Sequence, residues 1–144
     1  METQSYANHA RFVPLYHYVL SAMLLLTLIG SLVNLYLSLG DHQRLYSAAL
    51  IVVLVISMSL LYIFCRTFPL KAQDRAIRAE ENLRHFVLTG KLLDPRLEML
   101  QVVALRFASD GEMVALARRA AEEKLTPDAI KRAVKQWRAD TYRV

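Results

Sequence analysis

Apolar and polar positions separate along this chain instead of alternating evenly. From Phe12 to Gly40, a run of 29 residues, no side chain is charged, and from Leu45 to Cys65 there are 21 more. About 20 helical residues cross the ~30 Å hydrocarbon layer of a bilayer, so each run is long enough by itself. A backbone in lipid has to satisfy its hydrogen bonds internally, so both runs are expected as α-helices. Between them lies the short polar stretch GDHQR, with Gly40 as helix stop, and a turn this short makes the two helices antiparallel. The spans are expected at about 14–39 and 45–65, with Pro14 in the first helical turn, where its missing N–H costs nothing.

After Arg66 the pattern changes to the 3–4 spacing of amphipathic helices. LKAQDRAIRAEENLRHFVLTG places Ala72, Ala76, Ala79, Leu83, Phe86 and Val87 on one face and stops at Gly90. Pro69 is expected to bend or restart the second span. DPRLEMLQVVALRF predicts a helix capped by Asp94, with Pro95 at its first position and Leu97, Leu100, Val103, Ala104 and Phe107 on one side. SDGEMVALARRAAEEKL opens with the capping-box pattern Ser109 to Glu112 and presents Met113, Leu116, Ala117 and Ala120. TPDAIKRAVKQWRAD starts at Thr126 and Pro127 and is expected to bury Ile130, Val134 and Trp137. No stretch here alternates at period two. The expected fold is all-α: an N-terminal segment 1–13, a two-helix transmembrane hairpin 14–65, and a cytoplasmic bundle of three to four amphipathic helices in 66–144. That last part is small enough to need the membrane or a partner for its stability.

Charge sharpens the division. Residues 1–65 carry two basic and two acidic side chains; residues 66–144 carry the other 16 basic and 11 acidic ones, and with them the whole net charge of +5. The loop between the runs has one cation, Arg44, whereas Arg66, Lys71, Arg75, Arg78 and Arg84 follow the second run closely. That asymmetry predicts that the second half lies in the cytoplasm, and an even number of spans puts the N-terminus there too. The first run is too long for the apolar core of a cleaved signal peptide. Tyr16, His17, Tyr18, Tyr36, Tyr46, Tyr62 and Phe64 fall at the expected span boundaries, at headgroup depth. Arg66, Lys71, Arg75 and Arg78 are candidates for contact with anionic headgroups; the bland reading is a solvated face with pairs such as Asp74–Arg78 and Glu80–Arg84. A single cysteine, Cys65, rules out an intrachain disulfide and a Cys-based zinc site.

The candidate chemistry is sparse. Thr27, Gly30, Ser31, Asn34 and Ser38 follow a 3–4 spacing in the first span, and with Ser47 and Ser57 of the second they form an expected helix–helix seam. Asn34 asks for a partner: a second copy or another membrane subunit, or equally a neighbouring carbonyl or water near the loop side. His17 could ligate a haem or pigment, but the second span offers no histidine to complete a bis-His site. There is no Gly-rich phosphate loop, His-Glu-x-x-His, paired cysteine or G-x-S-x-G elbow, so neither an enzyme nor a resident cofactor or metal is expected. His85 is read as structural. In the tail, Lys131, Arg132, Lys135, Arg138 and Arg143 interleave with Trp137 and Tyr142 in the manner of a nucleic-acid binder, but the modest charge and the membrane tether argue against nucleic acid.

The segments QSYANHARFVPLYHYVL, LKAQDRAIRAEENLR, LRFASDGE and IKRAVKQWRAD together resemble a family of small bacterial membrane proteins catalogued as a domain of unknown function, over about Gln4 to Arg143. The resemblance implies an inner-membrane protein with two spans and a cytoplasmic helical tail, and brings no catalytic residues. Asn8, His9, Pro14 and His17 at the entry, and Trp137, Arg138 and Asp140 at the exit, are the conspicuous positions within it. The expected role is a non-enzymatic accessory or scaffold subunit, as a homo-oligomer or in a larger membrane complex. The alternatives are a haem- or pigment-binding subunit using His17 and a membrane-tethered nucleic-acid-binding protein.

Overall fold

The structure, a computed structural model, describes residues 4–9 and 12–140. Tyr142 and Arg143, singled out above, lie outside the described residues. A π-helical turn, Leu15–Leu20, leads into α1 (Ser21–Leu37); α2 (His42–Thr89), α3 (Met99–Leu105), α4 (Asp110–Glu122) and α5 (Pro127–Ala133) follow. Among the described residues the chain is all-helical and has no strand, only an isolated antiparallel bridge between Ala108 and Trp137. It divides into two compact units: Phe12–Phe68, and residues 69–144 together with those before residue 12.

In the unit of residues 12–68, two helices are long and apolar enough to cross a membrane: Leu15–Leu37, with a mean hydropathy of 2.0, and the first part of α2, with 2.7. Each carries one inward stripe at heptad-like spacing. On the first helix Ser31 and Ser38 are buried, with Ser21, Leu24, Leu28 and Leu35 half-buried between and before them. On α2 the stripe is Ala48, Val52 and Val55, flanked by half-buried Leu45, Ser59 and Tyr62. Tyr16 joins the two helices: its ring stacks on Tyr62 at 4.5 Å between centroids, and its hydroxyl donates to the Tyr62 carbonyl at 2.5 Å. The Ser21 and Tyr62 hydroxyls lie 2.7 Å apart.

Three local expectations are corrected here. The helix after Pro14 opens as a π turn, with wider winding than an α-helix, and only from Ser21 is it α. α1 ends at Leu37, before Gly40, which is not in the left-handed region; Gly90 is the glycine that is, at φ 72°. His42, Gln43 and Arg44, expected in the loop, already belong to α2, because the Asp41 carboxylate accepts the N–H groups of Gln43 and Arg44 at 3.0 and 3.2 Å and starts the helix early.

Nor does the helix restart at Pro69: α2 carries it inside a single 48-residue element. The second unit then packs the short helices α3, α4 and α5 around Val102, Ala104, Leu105, Met113, Ala120 and Ile130. The helix expected from Asp94 begins instead at Met99. Asp94 spends its carboxylate on the N–H and the guanidinium of Arg96, closing a turn before the helix. Of the face expected there, Leu97, Ala104 and Phe107 are buried, but Leu100 is exposed, and Val102 and Leu105 are buried as well. The Ser109–Glu112 capping box does not form either. Glu112 reaches across to accept the N–H groups of Lys135 and Gln136 at 2.9 and 2.8 Å, which holds the chain after α5 against α4. Thr126 does cap α5, accepting from Ala129 N–H at 3.2 Å, with Pro127 in the first turn. α5 stops at Ala133; from Val134 the chain is extended, and Trp137 packs on the core half-buried.

Candidate functional site

The densest polar constellation lies on α2. Glu81 is 4% exposed and bonded to the guanidinium of Arg84 at 3.0 Å, with Arg138 at 3.5 Å. Arg84 also donates to Asp110 at 2.6 Å and to the Ala108 carbonyl at 2.8 Å. One side chain therefore ties α2 to the start of α4 and to the strand-like turn before it. Beside this cluster is a cleft of about 230 Å³ lined by Gln73, Ile77, Glu80, Glu81, Arg106, Arg138 and Asp140. Arg106 and Asp140 pair at 3.1 Å across its floor. Two opposite-charge pairs close on each other here, so the cleft offers no focused field of either sign.

The N-terminal residues complete this unit. Gln4 accepts the Asp140 N–H at 2.7 Å. The Tyr6 hydroxyl donates to Asp128 at 2.5 Å and accepts from Arg132 at 3.0 and 3.2 Å, while Arg132 pairs with Asp128 at 2.9 Å. The Tyr6 hydroxyl, followed by the cation of Arg132, holds the Asp128 carboxyl below its ordinary range. His9 sits against Phe107 and Trp137, each 6.0 Å between ring centroids, with Nδ1 2.6 Å from the Tyr6 carbonyl and Nε2 3.2 Å from the Lys131 ammonium. This geometry assigns the tautomer: Nδ1–H donates to the carbonyl, and the Nε2 lone pair accepts from lysine. His9, Trp137, Arg138 and Asp140, chosen from opposite ends of the sequence, thus belong to one unit. Gln4, Tyr6, Glu81 and Arg106 were missed; they are polar residues with no motif around them, and only the fold gives them partners.

Of the seven expected seam positions, the structure buries Ser31 and Ser38; Thr27, Gly30, Asn34, Ser47 and Ser57 are exposed. Their hydroxyls turn back to their own helix: Thr27 to the Met23 carbonyl at 2.7 Å, Ser38 to Asn34 at 2.8 Å, Ser57 to Val53 at 2.9 Å. His17 lies in the π turn with Nδ1 3.0 Å from both the N and the O of Val13 and its ring edge-on to Phe12 and Tyr16. Among the described residues no group of three or more His, Cys, Asp or Glu side chains is placed to hold a metal ion. His85 is tied to the Lys91 carbonyl at 2.7 Å, at the end of α2.

The side chains of Arg66, Lys71, Arg75 and Arg78 make no hydrogen bond or ion pair with any described residue. The Asp74–Arg78 and Glu80–Arg84 pairs are not formed, because Arg84 turns to Glu81 and Asp110. In the tail, Arg132 and Arg138 are neutralised within the chain and Trp137 is packed against Phe107 at 4.9 Å. The apolar face read from the 70–89 segment is turned outward. Ala72, Ala76, Ala79, Leu83, Phe86 and Val87 are exposed, and Ile77 and Glu81 are buried in their place. The unit turns its ion-paired side of α2 inward, since Arg84 and Arg138 give Glu81 the partners that a buried carboxylate requires.

These elements define an all-helical protein with two helices apolar and long enough for membrane spans and a small polar-clamped helical unit. The chain belongs to the family of unknown function DUF6526, whose model matches residues 1–144. No curated protein and no solved structure matches it.

Proposed function

We propose that this chain is a non-enzymatic membrane scaffold or accessory subunit of a bacterial cytoplasmic membrane. Its first two apolar helical stretches cross the bilayer as an antiparallel hairpin, and its helical unit stands in the cytoplasm. The observation that carries this reading is what the apolar residues do not pack against. Within the most apolar stretches of the two helices only 6% and 17% of residues are buried. Twenty-four large apolar or aromatic side chains between Leu15 and Phe64 are exposed. At roughly 1 kcal/mol or more for each one left in water, their exposure would exceed the whole ~5–15 kcal/mol stability of an ordinary domain. A core helix of a soluble protein buries such residues. A signal sequence would account for the first helix alone and leave the second in water.

The unpaired cations after the second span support contact with anionic headgroups. Measured along α2, Lys71 lies ~7 Å past Arg66, Arg75 ~14 Å and Arg78 ~18 Å. The Debye length in physiological salt is ~8 Å, so Arg66 and Lys71 are the headgroup contacts in this reading. The test is twofold. The full chain should stay in the membrane fraction through alkaline extraction, and reporters inserted at Gly40 and fused after the last residue should appear on opposite sides. Replacing Arg66, Lys71, Arg75 and Arg78 together by Gln should invert the topology of a measurable fraction of molecules. Extraction without detergent, or both reporters on one side, would refute the reading.

A further inference from the structure

The exposed stripe Ala72, Ala76, Ala79, Leu83 and Phe86 repeats at intervals of four, three, four and three residues. That is the a/d spacing of a coiled-coil seam, centred opposite buried Ile77 and Glu81, with exposed Ala76 and Glu80 on the flank that also borders the cleft. We propose that this stripe pairs with the same stripe of a second copy, in parallel, as a short two-stranded coiled coil.

Charge complementarity selects the occupant. With Ala72, Ala79 and Phe86 at d and Ala76 and Leu83 at a, the flanking g position is Arg75 and the next e position is Glu80. In a parallel pair, g of one strand meets e of the other five residues on. Arg75 of each copy then faces Glu80 of its partner, twice by symmetry. Both side chains are exposed, and neither forms an ion pair within the chain. The parallel sense rests on the membrane reading above: two copies whose α2 helices leave the same bilayer on the same side present the stripe in the same direction and register. Confinement to the bilayer also supplies the effective concentration that a seam this short needs. The small alanines let the two helices approach closely, and Leu83 and Phe86 supply most of the apolar contact.

The test uses the full chain in native membranes, with Cys65→Ser as background and single cysteines introduced at exposed Ala72 and Ala79 and at half-buried Arg78. Ala72→Cys and Ala79→Cys should cross-link to themselves with a short bis-maleimide, while Arg78→Cys, at the outward c position, should cross-link at least tenfold less. Leu83→Glu should abolish the Ala79→Cys product with the protein still in the membrane. Glu80→Arg should weaken it, and adding Arg75→Glu should restore it. Equal cross-linking at all positions, no product at 79, or a product with a different polypeptide would overturn the pairing. So would labelling of the cysteine at 79 by lipid-soluble but not water-soluble maleimide, which would name the bilayer as occupant. A chain that leaves the membrane fraction yet still cross-links at 72 and 79 would sink the membrane reading and leave the paired stripe standing.

Discussion

Asp94 shows how far one side chain can move a helix boundary. Its carboxylate accepts hydrogen bonds from the Arg96 guanidinium and then from the Arg96 N–H, which lowers its pKa to about 2. A carboxylate held lower in the folded chain than in the unfolded one stabilises the fold above the ordinary value near 3.8, and that contribution disappears as pH falls toward 2. Carboxyl NMR should show Asp94 titrating near 2, and Asp94→Asn should remove that part of the acid sensitivity of the 94–97 turn. At the end of α4, Lys124 is a non-glycine residue in the left-handed region, at φ 51°. The conformation costs an L-residue ~1–2 kcal/mol, part of which glycine returns as unfolded-state entropy. Lys124→Gly should therefore stabilise the chain by about 0.5–1 kcal/mol in thermal unfolding. Tyr6→Phe should raise the Asp128 carboxyl toward its ordinary range, since the lost hydroxyl is the largest cause of its depression. The sequence marked Asp94 as the cap at a helix start, but a cap and a turn closed on the next cation look the same in one dimension. Asp94 could be read as a punctuating residue and not as the end of a particular element.

At the scale of elements, apolar periodicity was a reliable guide to where helices exist and a poor guide to which face they bury. α4 buries the face its spacing predicts, Met113, Leu116, Ala117 and Ala120, because its polar residues have solvent to turn toward. The 70–89 part of α2 does the reverse. Its inward side is set by Glu81 and the arginines that meet it from α2 and from residue 138. Removing one partner of a buried pair leaves the other charge uncompensated, so Glu81→Ala should destabilise the helical unit by about 3 kcal/mol, the low end for such pairs because Asp110 still faces Arg84. Chemical denaturation followed by circular dichroism in detergent would measure it. A loss below 1 kcal/mol would mean that the cluster is not what orients α2. The hydroxyls of the apolar helices teach a related lesson. Their spacing suggested bonds across a seam, but a serine or threonine in a helix can always reach its own preceding turn. Across the two helices the hydrogen bonds fall to Tyr16, Ser21 and Tyr62.

For the whole molecule, each unit draws on residues far apart in sequence. The helical unit includes residues 4–9, with Tyr6 and His9 packed on α5 and the tail that follows it. Deleting residues 1–9 should shift the fluorescence of Trp137, the single tryptophan, toward longer wavelength, because the His9 ring then no longer covers it. An unchanged spectrum would show the contact to be dispensable. The sequence by itself determined the division into an uncharged half and a charged half, the helical character of both, and most start signals. These follow from composition and from side chains one to four residues apart. Only the tertiary structure decided that the N-terminal residues join the C-terminal unit, that Glu81 is the buried acid, and that the apolar stripe of α2 faces outward. Each of those outcomes depends on which distant partner satisfies a charge or a hydrogen bond, and local spacing carries no information about a partner 26 or 122 residues away.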